Sequence, residues 1–216
     1  MNDNMNYVIF DFDGTIGDSQ ALIVKTLQDT MRKRHLEVKS DAECAATIGL
    51  RLDEAFVQLF DLTPEEGMTC ANTYRDIFEE NKQQLIVQPF PHVLDTIHAL
   101  HRQGYQLAIA SSRGSDSLLG YVKQMQIEDC ISTIVAGDYV EHVKPAPDMV
   151  FKALEAMRGT VEETLVVGDM TYDVDMAHNA GAKACAVTYG NGTREELASA
   201  DYVIDDFSQL LEILAK

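Results

Sequence analysis

The sequence has few cysteines, few basic residues and no long apolar run. Its four cysteines are widely spaced and include no CxxC pair. This spacing argues against a disulfide framework or a zinc site and predicts free thiols in a reducing compartment. No run of about 18 apolar residues occurs, and the N-terminus shows no basic segment followed by an apolar one, so neither a membrane span nor a secretory signal is indicated. We therefore expect a cytoplasmic protein.

Acidic residues outnumber basic ones about two to one. The 216 residues include 17 lysines and arginines against 35 aspartates and glutamates, and the net charge is -18. Such a surface repels nucleic acid and anionic lipid, so no nucleic acid and no membrane is expected as a partner. It also repels a phosphorylated substrate, so an acidic site for such a substrate would need a bound cation. Nothing in the sequence demands a protein partner, and we expect a monomer or a weak homodimer.

The chain from about residue 88 onward alternates short apolar runs with helical patterns. Helices are predicted, for example, at 93–103 and 148–157. Strands that alternate with helices indicate βαβ units, a parallel sheet and helices on both faces. The predicted fold is therefore an α/β, Rossmann-like, doubly wound parallel sheet. Its predicted strands lie at 8–10, 106–110, 133–136, 164–167, 184–187 and 202–204.

The segment 17–88 interrupts this alternation, because it carries helical signals and no convincing strand. Helices are predicted at 19–35 and 53–60. A third, long helix is predicted to start at 63–66, where a threonine N-cap is followed by proline and two glutamates. Roughly 70 residues are too many for one crossover connection, so we expect a separate helical unit inserted after the first strand.

This insertion predicts a discontinuous domain organisation. A helical bundle cap of residues 17–88 would interrupt a catalytic α/β core of residues 1–16 and 89–216. The junctions would be plausible hinges, since Gly17 is permissive and the segment 88–91 contains two prolines that stiffen it. The alternative is a helical layer that packs rigidly on the sheet.

Two carboxylates follow the first predicted strand. Asp11 and Asp13 are one residue apart, and Gly14 and Thr15 follow at once. On an extended strand the two acids share a face, and the glycine lets the chain turn at the carboxyl end, where α/β sheets bind ligands. A simple strand-end turn would use the same residue types. A functional interpretation is favoured because three further polar clusters fit one chemistry with these acids.

The second and third clusters supply hydroxyls and cations. Ser111, Ser112 and Arg113 follow the apolar run at 106–110, and a serine there can donate to a phosphoryl oxygen. Hydroxyls in such loops are also common helix caps. Lys144 directly precedes a segment with two prolines, which hold the chain extended and favour a fixed ammonium over a solvated surface lysine.

The fourth cluster supplies two more acids. Asp169 follows the apolar run at 164–167, and Asp173 falls in the first turn of a predicted helix. The helix dipole alone explains an acid at position 173, but it does not explain Asp169. Together with Asp11, these hard oxygen donors suit Mg²⁺. Lys144 and a serine hydroxyl would then balance the charge of a phosphoryl group.

In these motifs the chain resembles the haloacid dehalogenase-like superfamily of phosphatases and phosphomutases. The matching elements are DFDGT at 11–15, Ser111 after its strand, Lys144 in KPAPD, and GDMTYD at 168–173, in the family's order and with its spacing. The resemblance covers essentially the whole chain, and the helical insert is similar to the family's helical cap. Asp18-Ser19 also resembles the DS of the phosphoglycolate phosphatase and β-phosphoglucomutase branch.

The resemblance implies a role for each motif residue. Asp11 is expected to be the nucleophile that attacks phosphorus and forms an aspartyl-phosphate, and Asp13 is expected to act as general acid and base. Ser111 and Lys144 are expected to position Asp11 and the transferring group.

The family also implies a cofactor and a set of substrate contacts. Mg²⁺ is the expected metal, held by Asp11, the backbone carbonyl of Asp13, Asp169 and Asp173, the last directly or through water. Candidate substrate-binding residues are Gly14, Thr15, Ser112, Arg113 and, in the insert, Arg51.

The resemblance implies a Mg²⁺-dependent phosphatase for a small phosphorylated metabolite, such as phosphoglycolate, a sugar phosphate, a nucleotide or pyrophosphate. The first alternative is a phosphomutase of the β-phosphoglucomutase type. The mutases carry a GxxR pattern in the cap, and the segment 49–52 places its arginine one position early, which disfavours this alternative. The second alternative is a non-catalytic phosphate-binding regulator, which the presence of both Asp11 and Asp13 disfavours.

Overall fold

A computed structural model describes residues 5–215 of the chain. The strands are β1 (Tyr7–Phe10), β2 (Gly17–Asp18), β3 (Gln88–Pro89), β4 (Gln106–Ser111), β5 (Thr133–Ala136), β6 (Thr164–Gly168), β7 (Lys183–Val187) and β8 (Tyr202–Ile204). The helices are α1 (Gln20–Lys33), α2 (Asp41–Ala45), α3 (Leu52–Phe60), α4 (Pro64–Asn81), α5 (Val93–Arg102), α6 (Ser115–Gln124), α7 (Asp148–Met157), α8 (Thr171–Ala180) and α9 (Leu210–Ile213). Within residues 5–215, no helix combines the length and the apolar character that crossing a bilayer requires.

Six strands form one parallel sheet with the order β5-β4-β1-β6-β7-β8. The first strand lies near the middle and pairs with β4 on one side and β6 on the other. Phe10 is in register with Ile109 and with Val167. The three strands therefore end at nearly the same level, and the residues that follow them meet at one edge of the sheet.

Helices cover both faces of this sheet. Alternate residues of β1 point to opposite sides, so Val8 and Phe10 join the core that contains α5, while Ile9 joins the core that contains α7 and α8. Strands buried on both faces need apolar residues at every position, which is why they are short continuous apolar runs in the sequence. The structure confirms the predicted α/β doubly wound fold, and the six predicted sheet strands differ from the observed ones by at most one residue at either end.

Helices α1 to α4 lie between β1 and α5 in the chain, and α4 packs against both α1 and α3. The chain enters and leaves this helical insert through β2 and β3, which pair antiparallel, Gly17 with Pro89 and Asp18 with Gln88. The two predicted junctions thus lie side by side. The sequence pattern did not predict these two-residue strands or the five-residue helix α2. The division into a cap of residues 17–88 and a discontinuous core stays a prediction.

The start of α4 is fixed by a capping box. The Thr63 side chain accepts a hydrogen bond from the backbone N–H of Glu66, and the Glu66 side chain accepts one from the backbone N–H of Thr63. Pro64 occupies the first helical position, where no backbone donor is needed. The predicted start of the helix is confirmed, and this start orients the helix that supplies one wall of the cleft described below.

Replacing Thr63 with alanine is expected to lower the free energy of unfolding by about 1 kcal/mol, because a helix N-terminal donor loses its acceptor. The matched control is Thr69→Ala on the same helix, where the threonine is exposed and its hydroxyl only donates to the Glu65 carbonyl. This control is expected to be neutral or slightly stabilising, because alanine has the higher helix propensity. Denaturant unfolding measures both variants. Equal effects would contradict a capping role for Thr63.

Candidate active site

Polar side chains from three neighbouring strands meet at the carboxyl edge of the sheet. Asp11 directly follows β1, Ser111 ends β4, and Asp169 directly follows β6. A cleft of about 770 Å³ lies over Asp11 and Ser111, and its opposite wall comes from α1, α3 and α4 of the helical insert. The structure therefore brings three of the predicted motifs together beneath one opening.

Lys144 joins two of the acids beneath the cleft. Its ammonium hydrogen-bonds to Asp11 Oδ1 and lies 2.7 Å from Asp173 Oδ1. The side chain of Lys144 is 0% exposed and that of Asp11 is 3% exposed. The Lys144–Pro145 peptide bond is cis. The predicted fixed ammonium is thus a buried cation that bridges two carboxylates from different elements.

Asp169 is held by groups from two other segments. The Thr15 hydroxyl donates to Asp169 Oδ1 at 3.3 Å. The backbone N–H and the side-chain amide of Asn191 both donate to Asp169 Oδ2 at 2.7 Å. Fixed donors on both oxygens set the orientation of this carboxylate toward its neighbours.

Burial and mutual repulsion raise the pKa values of these acids. Burial raises the pKa of Asp11 well above its ordinary value although Lys144 opposes the change, and the nearby Asp173 adds to it. Burial and the charge of Asp173 raise the pKa of Asp169 to about 7. Burial alone would lower the pKa of Lys144, but Asp11 and Asp173 raise it above its ordinary value. One ammonium thus faces more carboxylate charge than it can balance.

The three acids fit a divalent cation. One oxygen from each of Asp11, Asp169 and Asp173 lies within 4.8 Å of the others, and all three residues are buried. Asp173 Oδ1 is buried, and the ion pair with Lys144 at 2.7 Å is the only polar contact that the described residues give it. A hard cation such as Mg²⁺ is bound by a few carboxylates together with water and substrate phosphate. The donor set and the excess negative charge both match that chemistry.

Gly14 lets the chain pass directly beside this cluster. Its φ is +83°, and a Cβ at this position would lie 2.1 Å from Asp169 Oδ2 and 2.4 Å from the side-chain nitrogen of Asn191. Only glycine tolerates both this backbone conformation and this approach. The glycine of the first motif therefore gives Asp169 and Asn191 the room for their hydrogen bond.

Gly14→Ala is expected to lower the free energy of unfolding by about 2–5 kcal/mol, because the left-handed conformation costs about 1–2 kcal/mol and overpacking adds about 1–3 kcal/mol. Gly104→Ala is the matched control, since Gly104 has φ +90° and a Cβ there would meet nothing within 4 Å. This control is expected to show the backbone cost alone. Chemical denaturation measures both variants, and equal losses would show that the close approach to Asp169 does not matter.

Asp13 lies near the cleft and is held by two partners. Ser19 donates to Asp13 Oδ1 at 2.6 Å. Arg113 forms a bidentate ion pair with the Asp13 carboxylate, from Nη2 to Oδ1 at 2.6 Å and from Nε to Oδ2 at 3.0 Å. The side chains of Arg113 and Asp13 are only 8% and 11% exposed. Asp13 is therefore held apart from the Lys144 cluster in its own hydrogen-bonded setting.

The predicted substrate-binding residues divide into two groups. Ser112, Arg113 and Arg51 line the cleft, as predicted for contact with a substrate. Gly14 and Thr15 lie against Asp169 instead, and the Thr15 side chain is fully buried. Direct substrate binding by any of the five stays a prediction.

Two of the cleft residues already have protein partners. Ser112 Oγ donates to the Gly49 carbonyl at 2.5 Å and so connects the second motif to the helical insert. Arg51 donates to both carboxylate oxygens of Asp53, from Nε at 3.1 Å and from Nη2 at 2.8 Å. Any contact with substrate would add to these bonds or replace them.

Sequence reasoning missed the contacts that Ser19 and Asn191 make. The sequence indicated Ser19 only through a family dipeptide and the start of a helix, and no motif indicated a role for Asn191. A usable signal existed for Asn191, because it stands between two glycines shortly after β7, at the same edge as the acids. Both residues fix the carboxylates whose roles the motifs predicted.

Comparison with known proteins agrees with this geometry. The family model for haloacid dehalogenase-like hydrolases matches residues 8–187. The chain is 32% identical over 214 residues to pyrophosphatase PpaX of Bacillus mycoides, which covers 98% of each chain. It is 34% identical over 211 residues to a protein of Dickeya dadantii named "Probable phosphatase IndB", which covers 94% of this chain and 91% of the relative.

A solved structure of a member of the same family also resembles the chain. A haloacid dehalogenase-like hydrolase from Bacteroides fragilis superposes with a TM-score of 0.85 at 27% identity, over 95% of this chain and 99% of the other. The chain belongs to the haloacid dehalogenase-like hydrolases. The predicted family is therefore confirmed, and the names of the relatives agree with the predicted enzyme class, a phosphatase.

Proposed function

We propose that the protein is a Mg²⁺-dependent phosphatase that hydrolyses a small phosphorylated metabolite through an aspartyl-phosphate on Asp11. The observation that carries this proposal is the buried cluster that meets the cleft at Asp11. In this cluster Lys144 pairs with Asp11 and Asp173, and one oxygen each of Asp11, Asp169 and Asp173 lies within 4.8 Å of the others. A carboxylate at the base of a substrate-sized cleft, next to a fixed cation and a candidate metal site, suits phosphoryl transfer, which depends mainly on positioning and charge neutralisation.

Asp11 is the proposed nucleophile. One of its oxygens attacks phosphorus while the bond from phosphorus to the leaving oxygen breaks, and the phosphoryl group moves to the carboxylate. Lys144 is bonded to Asp11 Oδ1, which limits the rotation of the carboxylate. Ser111 is buried, lines the cleft and lies at the end of β4, next to β1, so its hydroxyl is available near the transferring group.

Asp13 is the proposed acid and base. It gives a proton to the leaving oxygen in the first half-reaction and takes a proton from the attacking water in the second. Its place beside the cleft, two residues after the nucleophile and outside the Lys144 cluster, lets it face the leaving group while Asp11 faces phosphorus.

Asp11, Asp169 and Asp173 would hold the metal, with the backbone carbonyl of Asp13 as a further proposed ligand. A bound Mg²⁺ would supply positive charge that neutralises the phosphoryl oxygens and the excess of carboxylates. Thr15 and Asn191 keep Asp169 oriented for this role through their hydrogen bonds. Lys144 supplies the second positive charge of the site.

The cleft supports the proposed class of substrate. The acids at its floor are placed to meet a phosphoryl group, and the wall from α1, α3 and α4 is placed to meet the rest of the molecule. Phosphoglycolate, sugar phosphates, nucleotides and pyrophosphate are the proposed candidates. Arg51 is the proposed cap contact for a substrate anion, and binding the anion would replace its hydrogen bonds to Asp53.

We expect the purified protein to release phosphate from at least one of these compounds in the presence of Mg²⁺. Excess EDTA is expected to lower that rate by at least about 10²-fold, because the metal contributes several kcal/mol of charge stabilisation. Restoring Mg²⁺ after EDTA should restore the rate. Turnover that persists unchanged in EDTA would overturn the proposed metal dependence, and no release from any compound would overturn the phosphatase.

A further inference from the structure

The guanidinium of Arg113 is almost fully engaged by the protein. Besides the two bonds to Asp13, its Nη1 donates to Ser117 Oγ at 2.9 Å. Three of the five N–H groups of an arginine are thus directed to fixed acceptors. This arrangement leaves Arg113 little capacity to bind a substrate anion, which was the role that the sequence predicted for it.

Aromatic rings surround the same guanidinium. Its Cζ lies 5.1 Å from the ring centre of Tyr121, 5.2 Å from that of Phe78 and 5.9 Å from that of Phe12. Cations are attracted to the faces of aromatic rings at these distances. Phe78 belongs to α4 of the insert, whereas Phe12 follows β1 and Tyr121 belongs to α6. The rings therefore contact Arg113 both from the helical insert and from the part of the chain that forms the sheet and its helices.

We infer that Arg113 is a positioning residue for Asp13, and that it orients the Asp13 carboxylate for the step that hydrolyses the aspartyl-phosphate. This inference rests on the proposed function. A guanidinium can donate hydrogen bonds to both oxygens of a carboxylate at once, as Arg113 does to Asp13. Ser19 donates a further hydrogen bond to Oδ1 of the same carboxylate. The carboxylate plane is thereby set by three hydrogen bonds, which an ammonium or an amide at position 113 could not reproduce.

The step that this geometry serves is the second half-reaction. The oxygen of a water molecule bonds to phosphorus, one of its protons moves to the Asp13 carboxylate, and the bond from phosphorus to the Asp11 oxygen breaks. Inorganic phosphate leaves and the Asp11 carboxylate is regenerated. The three hydrogen bonds from Arg113 and Ser19 fix the orientation of the Asp13 carboxylate, and that orientation decides how well it meets the attacking water.

The test uses an activated aryl ester, 4-nitrophenyl phosphate, with the full-length protein and Mg²⁺. Its leaving group departs without an added proton, so the first half-reaction does not need Asp13 as an acid. Arg113→Gln is expected to slow dephosphorylation about ten- to hundredfold. Therefore kcat should fall, KM should fall with it, and kcat/KM should stay within about threefold of the wild type. Rapid mixing should show a burst of nitrophenolate, and acid quenching should show accumulated phosphoenzyme.

Other outcomes identify other roles. A raised KM at unchanged kcat would overturn the inference and assign Arg113 to substrate binding. Equal falls in kcat and kcat/KM without phosphoenzyme accumulation would overturn it in favour of a purely structural role. Absence of Mg²⁺-dependent phosphate release from the wild-type protein would overturn the proposed function, and the inference with it.

Two further variants keep the test decisive if Arg113→Gln folds poorly. Ser19→Ala removes the third hydrogen bond to Asp13 with a small change in volume, and the same split between kcat and kcat/KM is expected. Arg113→Lys keeps the charge but cannot form the bidentate ion pair, so its kcat should lie between those of Arg113→Gln and the wild type. Arg102→Gln, at an exposed arginine of α5, is the matched control and should leave every kinetic constant unchanged.

Discussion

Asp11→Asn is expected to abolish phosphate release, with a loss of at least about 10⁴-fold in kcat, because the amide cannot accept the phosphoryl group. The fold should survive this change. Burial raises the pKa of Asp11 well above its ordinary value, which means that the folded protein disfavours the charged form. A neutral residue of the same shape removes that cost, so the metal-free variant should be at least as stable as the wild type at neutral pH. Phosphate release and denaturant unfolding measure the two effects.

The matched control is Asp95→Asn, at an exposed acid in the first turn of α5. It should keep full activity and lose at most a few tenths of a kcal/mol, since it weakens only an interaction with the helix dipole. Activity of Asp11→Asn within about tenfold of the wild type would rule out Asp11 as the nucleophile. A large loss of stability would contradict the account of its buried charge.

Lys144→Met is expected to impair both stability and catalysis. The side chain of Lys144 is 0% exposed and is the cation between Asp11 and Asp173, so methionine would leave buried carboxylates without a partner. Removing one partner of a buried ion pair costs about 3–5 kcal/mol. Loss of a fixed charge that stabilises the transferring group should lower kcat by about 10²–10³-fold. Denaturant unfolding without metal and steady-state kinetics with Mg²⁺ measure these losses.

Lys152→Met is the control for this substitution, because Lys152 is an exposed lysine of α7 whose ammonium only bonds to the Tyr139 carbonyl. It should change stability by about 0.5 kcal/mol or less and leave activity intact. Adding Mg²⁺ to Lys144→Met should recover part of the lost stability, because a ligand that binds only the folded state stabilises it. A Lys144→Met variant as stable as Lys152→Met would contradict the proposed charge balance of the cluster.

Much of the fold could be predicted from the sequence because the sheet is buried on both faces. Such strands are continuous apolar runs, and the residue that follows each run lies at one edge of the sheet. That rule predicted that Asp11, Ser111 and Asp169 lie at the same edge of the sheet. The start of α4 was equally predictable, since Thr63 and Glu66 act locally and need no tertiary contact.

The side-chain directions at the site could not be predicted in the same way. Arg113 follows Ser111 by two residues, and the sequence pattern did not indicate its observed partners, which are Asp13 and rings from separate parts of the chain. Such contacts depend on how the helical insert meets the sheet, and no local pattern encodes them. The strands β2 and β3 were not predicted either, because two residues are too few to show the alternation of apolar and polar residues that identifies a strand.

The most direct test of the account is to trap the phosphoenzyme and locate the phosphoryl group. The protein is mixed with a ³²P-labelled substrate found in the phosphatase screen and Mg²⁺, and quenched in acid within one turnover. Reduction with tritiated borohydride then converts the phosphorylated carboxyl group to the alcohol of homoserine and releases its phosphate, and peptide mapping locates the tritium label. The account predicts label on Asp11, absent from Asp11→Asn and from samples mixed in EDTA. Label on another residue, or phosphate release with no covalent intermediate, would contradict it.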